Sequence, residues 1–546
     1  MRSSKESRHT IRLPGTREIC LIALFFLVAS FAIYGWYAMH GGFVADDWVN
    51  ADHYYFHPSP GFWGAVDNYQ TPSRPVAAVY VSLTYAVLGT HLHLHLILSV
   101  ILAAFLSVAF YALLRTLGVG IWSSLALAAL LLVFPSSDST RLWTTGSQID
   151  LFIGLYLVGV TVAIVAKRRF GPAPGVKAVA AQAVASLLVV IAVAGYEIVA
   201  PAILLSFLWY RRVGRGGVVW RWLMDAVPTV LILIFYTRKF SGGGAHGTQL
   251  ITNVGTIAEG AVSIFGYTLI PVRDVSEWLV IGGAAAIVIV ALLVWRLSPR
   301  SPDRQAIGSR LLLIPAALAA VVVGYAMLVP AAERYPLYAP GVQNRTNCLA
   351  ALGLCLIVFL LAATIGALIA AVVPGLTQRS RTDLRRALTA VALLGVLAIW
   401  TLRIGEDANR WQKAAEVQAQ VLATAHSLVP DPPAETTIFT SPYAGYSAPS
   451  IPIFGGGGNN DEVGAFKVTY DSDDMRAYPF LEGAVPECKA KSIWTPDAGE
   501  SVTAYGHALM VDARANRVYR PLTKAQCLRE TKAMEPFGPV NLTEGW

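Results

Sequence analysis

The chain has 546 residues, 55% of them hydrophobic and 14% charged, and a formal net charge of +8. A soluble globular chain devotes roughly 25% of its residues to charge because its surface must face water, so a soluble particle of this size is excluded and lipid must replace water over much of the surface. The basic surplus falls in short clusters between apolar runs, which is the pattern of membrane loops and argues against a nucleic-acid partner.

The first apolar run, Ile19–Met39, follows a basic tail containing Arg2, Lys5, Arg8, Arg12 and Arg17. A cleaved signal has an apolar core of about 7–15 residues and ends at small residues. This run is longer and ends Gly-Trp-Tyr-Ala-Met-His, so it reads as an uncleaved transmembrane helix with Trp36 and Tyr37 in the outer interfacial belt. A polar loop, His40–Arg74, and a short apolar stretch, Pro75–Leu88, come next. Further spans are expected near Leu94–Leu114, Ile121–Phe134, Ile149–Ala166, Ala178–Val193, Ile198–Trp209 and Leu223–Phe235. The last four are expected near Trp278–Trp295, Leu311–Val329, Cys348–Val373 and Leu388–Leu402. Several of these fall short of the roughly 20 residues that a full crossing takes.

Pro75–Leu88 decides the sidedness. If it crossed the membrane, every later loop would change sides. If it lies on the outer interface, the clusters at Arg115, Lys167–Arg169, Arg211–Arg215, Arg296–Arg304 and Arg379–Arg386 are all cytoplasmic, as the positive-inside rule requires. The second arrangement gives a cytoplasmic N-terminus and about eleven transmembrane helices. The outer loops are then His40–Arg74, Pro135–Gln148, the Tyr196–Glu197 corner, Lys239–Asn253, Ala331–Asn347 and everything after Arg403.

From Glu406 the composition turns polar. Ala408–Leu428 has a helical pattern, with Trp411, Ala415, Val417, Val421 and Leu422 spaced for one face. Strand-like runs follow at Thr437–Thr440, Phe466–Tyr470, Ser492–Thr495 and Ala508–Asp512. The expected fold class is an α-helical polytopic membrane protein with a C-terminal mixed α/β domain. Residues 1–404 would form the transmembrane part and 405–546 the extracytoplasmic part. Gly455–Gly458 has no helix signal close behind it and reads as a flexible loop, not a phosphate cradle. Of five cysteines, Cys20, Cys348 and Cys355 lie in or beside apolar runs, whereas Cys488 and Cys527 are the two in the polar region and would pair in an oxidising compartment.

Asp46 and Asp47 stand just beyond the first span, at the outer surface. Adjacent carboxylates there can serve as a proton acceptor and its supporting group, or as a helix cap. The segments Ala45-Asp-Asp-Trp48, Ser73-Arg-Pro75, Leu114-Arg-Thr-Leu-Gly118 and Pro135–Trp143 together resemble the GT-C membrane glycosyltransferases, among them the protein O-mannosyltransferase, aminoarabinose transferase and arabinofuranosyltransferase groups. The resemblance covers the chain up to about residue 150 and continues beyond as architecture alone.

The resemblance implies a GT-C-like fold and a polyprenyl-phosphate-linked sugar donor. It also implies an extracytoplasmic acceptor; the Ala/Gly/Val/Arg-rich composition is compatible with a GC-rich bacterium, at whose inner membrane the acceptor would be a cell-envelope glycan or glycoconjugate. Asp46 or Asp47 would take the acceptor proton. Arginine would neutralise the departing phosphate, because its planar fork pairs with phosphate oxygens. Outer candidates are Arg74, Arg141, Arg238, Lys239, Arg273, Arg334 and Arg345, with Arg334 and Arg345 favoured.

Asp138 would cap its loop, orient the acceptor or complete a metal site. Glu197 is an acid at a membrane corner, where charge is costly and by default paired or functional. Trp48 and Trp143 would stack on sugar or sit in the outer belt. His91, His93 and His95 read as interfacial residues, with no acid or cysteine nearby to complete a zinc site. The cofactor stays open between none and a divalent cation, and membrane lipids are the remaining partners. Competing readings are an O-antigen ligase or polymerase, whose catalytic arginines sit in a large late loop, and a transporter of lipid-linked sugars, which would favour inverted repeats.

Overall fold

The computed structural model describes residues 13–56, 60–68, 74–240, 247–269, 277–297, 307–308, 310–332, 335, 337, 341–441, 446–448, 450–454, 461–479, 485–495, 500–512 and 515–534. Among these residues nine helices are long and apolar enough to cross a membrane. The chain is a multi-pass, predominantly helical membrane protein with a small sheet-containing C-terminal region.

Helix α1, Thr16–His40, shows how the bundle forms. Phe26, Ser30, Tyr34 and Tyr37 share one face and are buried, while Leu21, Leu24, Phe25 and Val28 are exposed on the lipid side. The buried hydroxyls tie the helix to its neighbours: Ser30 Oγ donates to the Val100 carbonyl at 2.8 Å and Tyr34 to the Leu132 carbonyl at 2.7 Å. Two short helices follow, α2 (Asp46–Tyr55) and α3 (Phe62–Asn68), and then α4 (Pro75–Leu88). At 14 residues, α4 is shorter than a full span. It packs on Ala77, Ala78, Val81 and Tyr85 and exposes Val79, Leu83 and Val87 along the opposite stripe.

The bundle continues with α5 (Leu92–Thr116), α6 (Ile121–Leu132), α7 (Ser139–Leu142), α8 (Gln148–Phe170) and α9 (Val176–Gly195). Next come α10 (Ile203–Val213), α11 (Val218–Phe240), α12 (Gly247–Leu269), α13 (Glu277–Leu297), α14 (Ile314–Tyr325) and α15 (Cys348–Val372). Two of the eleven expected crossings form helices shorter than a full span. The segments expected at Ile121–Phe134 and Ile198–Trp209 form only the 12-residue α6 and the 11-residue α10. Pro135 stops the first by pushing Phe134 out of the helical region, and a 3-10 turn over Glu197–Ala202, which includes Pro201, precedes the second. The outer loop expected at Lys239–Asn253 enters helix α12 at Gly247.

Helix α16, Gln378–Leu428, is 51 residues long and so about 76 Å in length. The expected span at Leu388–Leu402 and the expected helix at Ala408–Leu428 are therefore parts of one rod. The junction is stapled by charges at helical spacing, with Arg403 3.0 Å from Glu406 and 3.2 Å from Asp407, and Arg410 3.1 Å from Asp407.

In the C-terminal region, β1 (Thr437–Ser441) lies parallel to β4 (Arg476–Pro479) and β8 (Ala508–Asp512), and β9 (Arg517–Tyr519) closes the order β4-β1-β8-β9. Strands β2 (Tyr446–Ala448) and β3 (Ile451–Pro452) form a small ribbon, and β5 (Glu487–Cys488), β6 (Ser492–Thr495) and β7 (Glu500–Ala504) an antiparallel sheet. The strand expected at Phe466–Tyr470 is instead part of helix α17, Asp461–Tyr470, whose first-turn Asp461 and Glu462 suit a helix N-terminus. Cys488 on β5 is disulfide-bonded to Cys527 on helix α18, Lys524–Ala533, with Cα atoms 6.0 Å apart.

This region is packed onto α2, in the loop after α1. A Cβ on Gly464 of α17 would clash with the Trp48 carbonyl oxygen. Lys467 pairs with Asp52 at 3.1 Å. Gly341, at φ +99, fits beneath the Ser450 carbonyl, which accepts from the Val342 N–H at 2.7 Å.

Candidate active site

The site is built where the loop after α1 and the loop after α6 meet the segment Gly341–Asn347. Ala45 takes a left-handed φ of 49, which turns the chain sharply from α1 into α2 and costs energy in a residue with a Cβ. The turn separates the two aspartates. Asp47 points inward and is fully buried. Its Oδ2 accepts from the Val44 N–H at 3.0 Å, and its Oδ1 accepts from the Thr145 N–H at 2.8 Å, the Thr145 hydroxyl at 2.6 Å and the Thr144 hydroxyl. Burial nevertheless outweighs these donors and pushes the Asp47 carboxyl up to about 6. Asp46 is half-buried and has no hydrogen-bond partner among the described residues. One carboxylate therefore locks the two loops together, and the other remains available.

Trp143 reinforces the same junction by donating from Nε1 to the Val44 carbonyl at 2.9 Å. Its indole face lies 4.9 Å from the Arg345 guanidinium carbon, within cation–π range. Arg345 is half-buried, donates to the Val342 carbonyl at 2.9 Å and has no acidic partner among the described residues. Trp48 donates to Gln418 Oε1 at 3.4 Å and meets Phe43 edge-on at 5.2 Å, so it braces α2 against α16.

Arg74 is engaged differently. Its guanidinium holds Glu197 through two bonds of 2.8 and 2.5 Å and lies 4.6 Å over the Tyr196 ring. Burial pushes the Glu197 carboxyl up, and Arg74 outweighs that effect, so Glu197 sits below its ordinary range. Burial pushes Arg74 down, and Glu197 more than reverses it. Arg74 and Arg345 both act on the Tyr196 hydroxyl, so the two arginines share one cluster. Arg74 is neutralised there and Arg345 is not.

Arg141 turns away from this cluster. It is fully buried, pairs with Asp150 at 3.5 Å and donates to the carbonyls of Ser137 and Leu131 at 2.8 and 3.1 Å. It supports the second loop from within. Arg273 and Arg334 lie outside the described residues, as do the side chains of Arg238 and Lys239. Asp138 is buried, accepts from Asn344 at 2.5 Å and has its carboxyl pushed up chiefly by burial. His93 and His95 meet the carbonyls of Ala38 and Gly89 at 3.3 and 2.9 Å. Among the described residues no three His, Cys, Asp or Glu side chains converge as metal ligands would.

Two participants escaped sequence reading. Asn344 joins the late segment to the second loop, and Asp407 faces Asp138 from α16. Asp407 does carry a sequence signal, the Arg403-x-x-Glu406-Asp407-x-x-Arg410 spacing where α16 leaves its apolar stretch.

No protein-family model matches the chain, and no curated protein matches its sequence. Among solved structures, the chain is similar to the oligosaccharyltransferase AglB of Archaeoglobus fulgidus in complex with an inhibitory peptide and a dolichol-phosphate. The identity is 10% and the TM-score 0.41, over 86% of this chain and 65% of that one. The apo oligosaccharyltransferase of Archaeoglobus fulgidus gives 10% and 0.41, over 87% and 66%. ArnT of Cupriavidus metallidurans bound to undecaprenyl phosphate gives 11% and 0.32, over 83% and 89%. The chain thus spans about two thirds of the length of the two archaeal proteins. At these scores the role of each site residue rests on its own geometry.

Proposed function

We propose that the chain is a membrane glycosyltransferase of the GT-C kind that moves a sugar from a polyprenyl-phosphate donor to an extracytoplasmic glycan or glycoconjugate. The supporting observation is a half-buried carboxylate, Asp46, and a half-buried guanidinium, Arg345, neither with an ionic partner among the described residues, on segments that Trp143 joins by its bond to Val44 and its contact with Arg345. Sugar transfer from a lipid phosphate needs both. The acceptor O–H gives its proton to a carboxylate as its oxygen attacks the anomeric carbon. The bond from that carbon to the phosphate oxygen breaks, and the departing polyprenyl phosphate takes the electron pair and a further negative charge. A guanidinium already stacked on Trp143 can meet that charge with little rearrangement. Asp47 and Trp143 position these groups, and Arg74 with Glu197 forms a neutral wall.

The reading places the N-terminus in the cytoplasm and the loop cluster with the C-terminal region outside, as the basic clusters require. Its direct test is the binding of undecaprenyl phosphate to the purified protein. Arg345→Lys keeps charge but loses the fork, and should weaken binding by about tenfold, the cost of one strong charge-assisted hydrogen bond. Unchanged binding by this variant would remove Arg345 from the site.

A further inference from the structure

The second outer loop and α16 meet through two carboxyl groups that the proposed chemistry does not use. Asp138 and Asp407 are both buried, on segments that Thr268 joins: its hydroxyl meets Ser136 Oγ at 3.2 Å and its carbonyl accepts from Trp400 Nε1 at 2.8 Å, and the two carboxyls act on each other. Oδ1 of each is engaged: Asp138 Oδ1 takes the Asn344 amide at 2.5 Å, and Asp407 Oδ1 takes Arg403 at 3.2 Å and Arg410 at 3.1 Å. Oδ2 of each is buried with no hydrogen-bond partner. Two neighbouring buried carboxylates repel when both are ionised, and each orphan oxygen loses its hydration without replacement.

We infer that Asp138 and Asp407 hold one proton between them, and that this shared proton seats Arg345 through Asn344. One proton gives both orphan oxygens a partner and removes the repulsion. A metal ion fits poorly there, because Arg403 and Arg410 face the pair from α16 and Arg141 faces it from the second loop. Tyr267 faces it from α12, its ring 5.4 Å from the Arg403 guanidinium. Tyr34 and Tyr37 face Asp138 from α1, and the remaining nearby charge, Glu406, is mostly exposed and pairs with Arg403.

The route to Arg345 is short. Asn344 donates to Asp138 and accepts from the Ser139 N–H at 3.2 Å and from the Ser139 hydroxyl. Asn347 donates to the Ser136 carbonyl at 2.8 Å. These bonds hold the 3-10 turn Val342–Asn347, which carries Arg345, against the second loop. Losing the shared proton leaves two anions in contact, drives Asp138 from Asp407 and loosens that turn. Asp407 is thus a positioning residue that acts through Asp138 and Asn344.

The functional half of this inference rests on Arg345 as the donor-phosphate ligand; the shared proton does not. Because the folded chain holds the proton more tightly than separate unfolded aspartates would, the stability it supplies is greatest in acid and is lost as pH rises. Asp407→Asn presents an amide N–H to Asp138 and mimics the proton without titrating. The experiment measures melting temperature and undecaprenyl-phosphate binding of the full-length protein from about pH 5 to about pH 9, for the parent, Asp407→Asn and Asp407→Ala. Asp138→Asn, which supplies the amide from the other side, is the second mimic should Asp407→Asn misfold.

The parent should lose melting temperature as pH rises and about fivefold in binding, a typical coupling between linked sites. The mimic should lose less melting temperature than the parent, keeping only the loss that Asp47 causes near pH 6, and should show no binding loss, and Asp407→Ala should bind weakly throughout. Parallel pH profiles for parent and mimic would overturn the inference. If the parent binds no undecaprenyl phosphate at any pH, the donor reading fails alone. The melting profiles then decide: a flatter mimic retains the shared proton, and parallel slopes refute it.

Discussion

Asp47→Ala tests whether the inner aspartate is a structural anchor. The substitution removes the acceptor of the Val44 and Thr145 N–H groups, both in a fully buried setting. The two threonine hydroxyls can turn to other acceptors, but the backbone donors cannot. Each orphaned donor costs about 1–3 kcal/mol, so the variant should lose about 2–6 kcal/mol of stability. The comparison is best made near pH 5, where Asp47, held up at about 6, is still largely protonated in the folded protein and buries no charge. A carboxyl raised in this way contributes stability that is complete below its unfolded value and is lost as pH rises through about 6. A rise from the ordinary aspartate value of 3.8 to about 6 corresponds to about 3 kcal/mol lost across that window. Thermal unfolding of purified parent and variant, followed by tryptophan fluorescence between about pH 4 and about pH 7, reads both effects. If Asp47→Ala melts with the parent, or keeps the parent's pH slope, Asp47 does not fasten the loops.

Two further outcomes follow from the same geometry. Glu197→Gln leaves the Arg74 charge without its carboxylate. It should lower the melting temperature most at neutral pH, because a depressed carboxyl contributes stability above its unfolded value and loses it as pH falls; equal melting of parent and variant at pH 7 would show the pair to be idle. Thiol counting on denatured, non-reduced protein should find Cys20, Cys348 and Cys355 reactive and Cys488 and Cys527 silent, and reducing that bond, which separates its cysteines by 39 positions, should cost about 4 kcal/mol by loop entropy.

The helical architecture was legible because a membrane helix announces itself by an apolar run, which is local. Local pattern failed where something distant decided the outcome. Phe466–Tyr470 has strand-forming residues but lies in α17, because Gly464 lets that helix press against the Trp48 carbonyl far away in the chain. The polar turn at Glu406 reads as a domain border, yet the charges at that border are spaced to staple one continuous helix. The acidic pair Asp46-Asp47 could be found by eye. Its division of labour could not, because it depends on the φ of Ala45 and on donors from Thr144 and Thr145 in another loop. The arginines divide on the same principle: Arg141 and Arg74 acquire the partners Asp150 and Glu197 only through folding, and Arg345 acquires no acidic partner among the described residues.

The account centres on Asp46 as the group that takes the acceptor proton. Asp46→Asn keeps size and polarity and removes only the proton acceptor, and Asp46 has no hydrogen-bond partner among the described residues whose loss could unfold the site. Sugar transfer from an undecaprenyl-phosphate-linked donor, measured for parent and Asp46→Asn at matched melting temperature and donor binding, is the most direct measurement. The account predicts a fall of about 10²–10⁴-fold in transfer rate, the usual contribution of a positioned general base. Transfer at the parental rate by Asp46→Asn would contradict it.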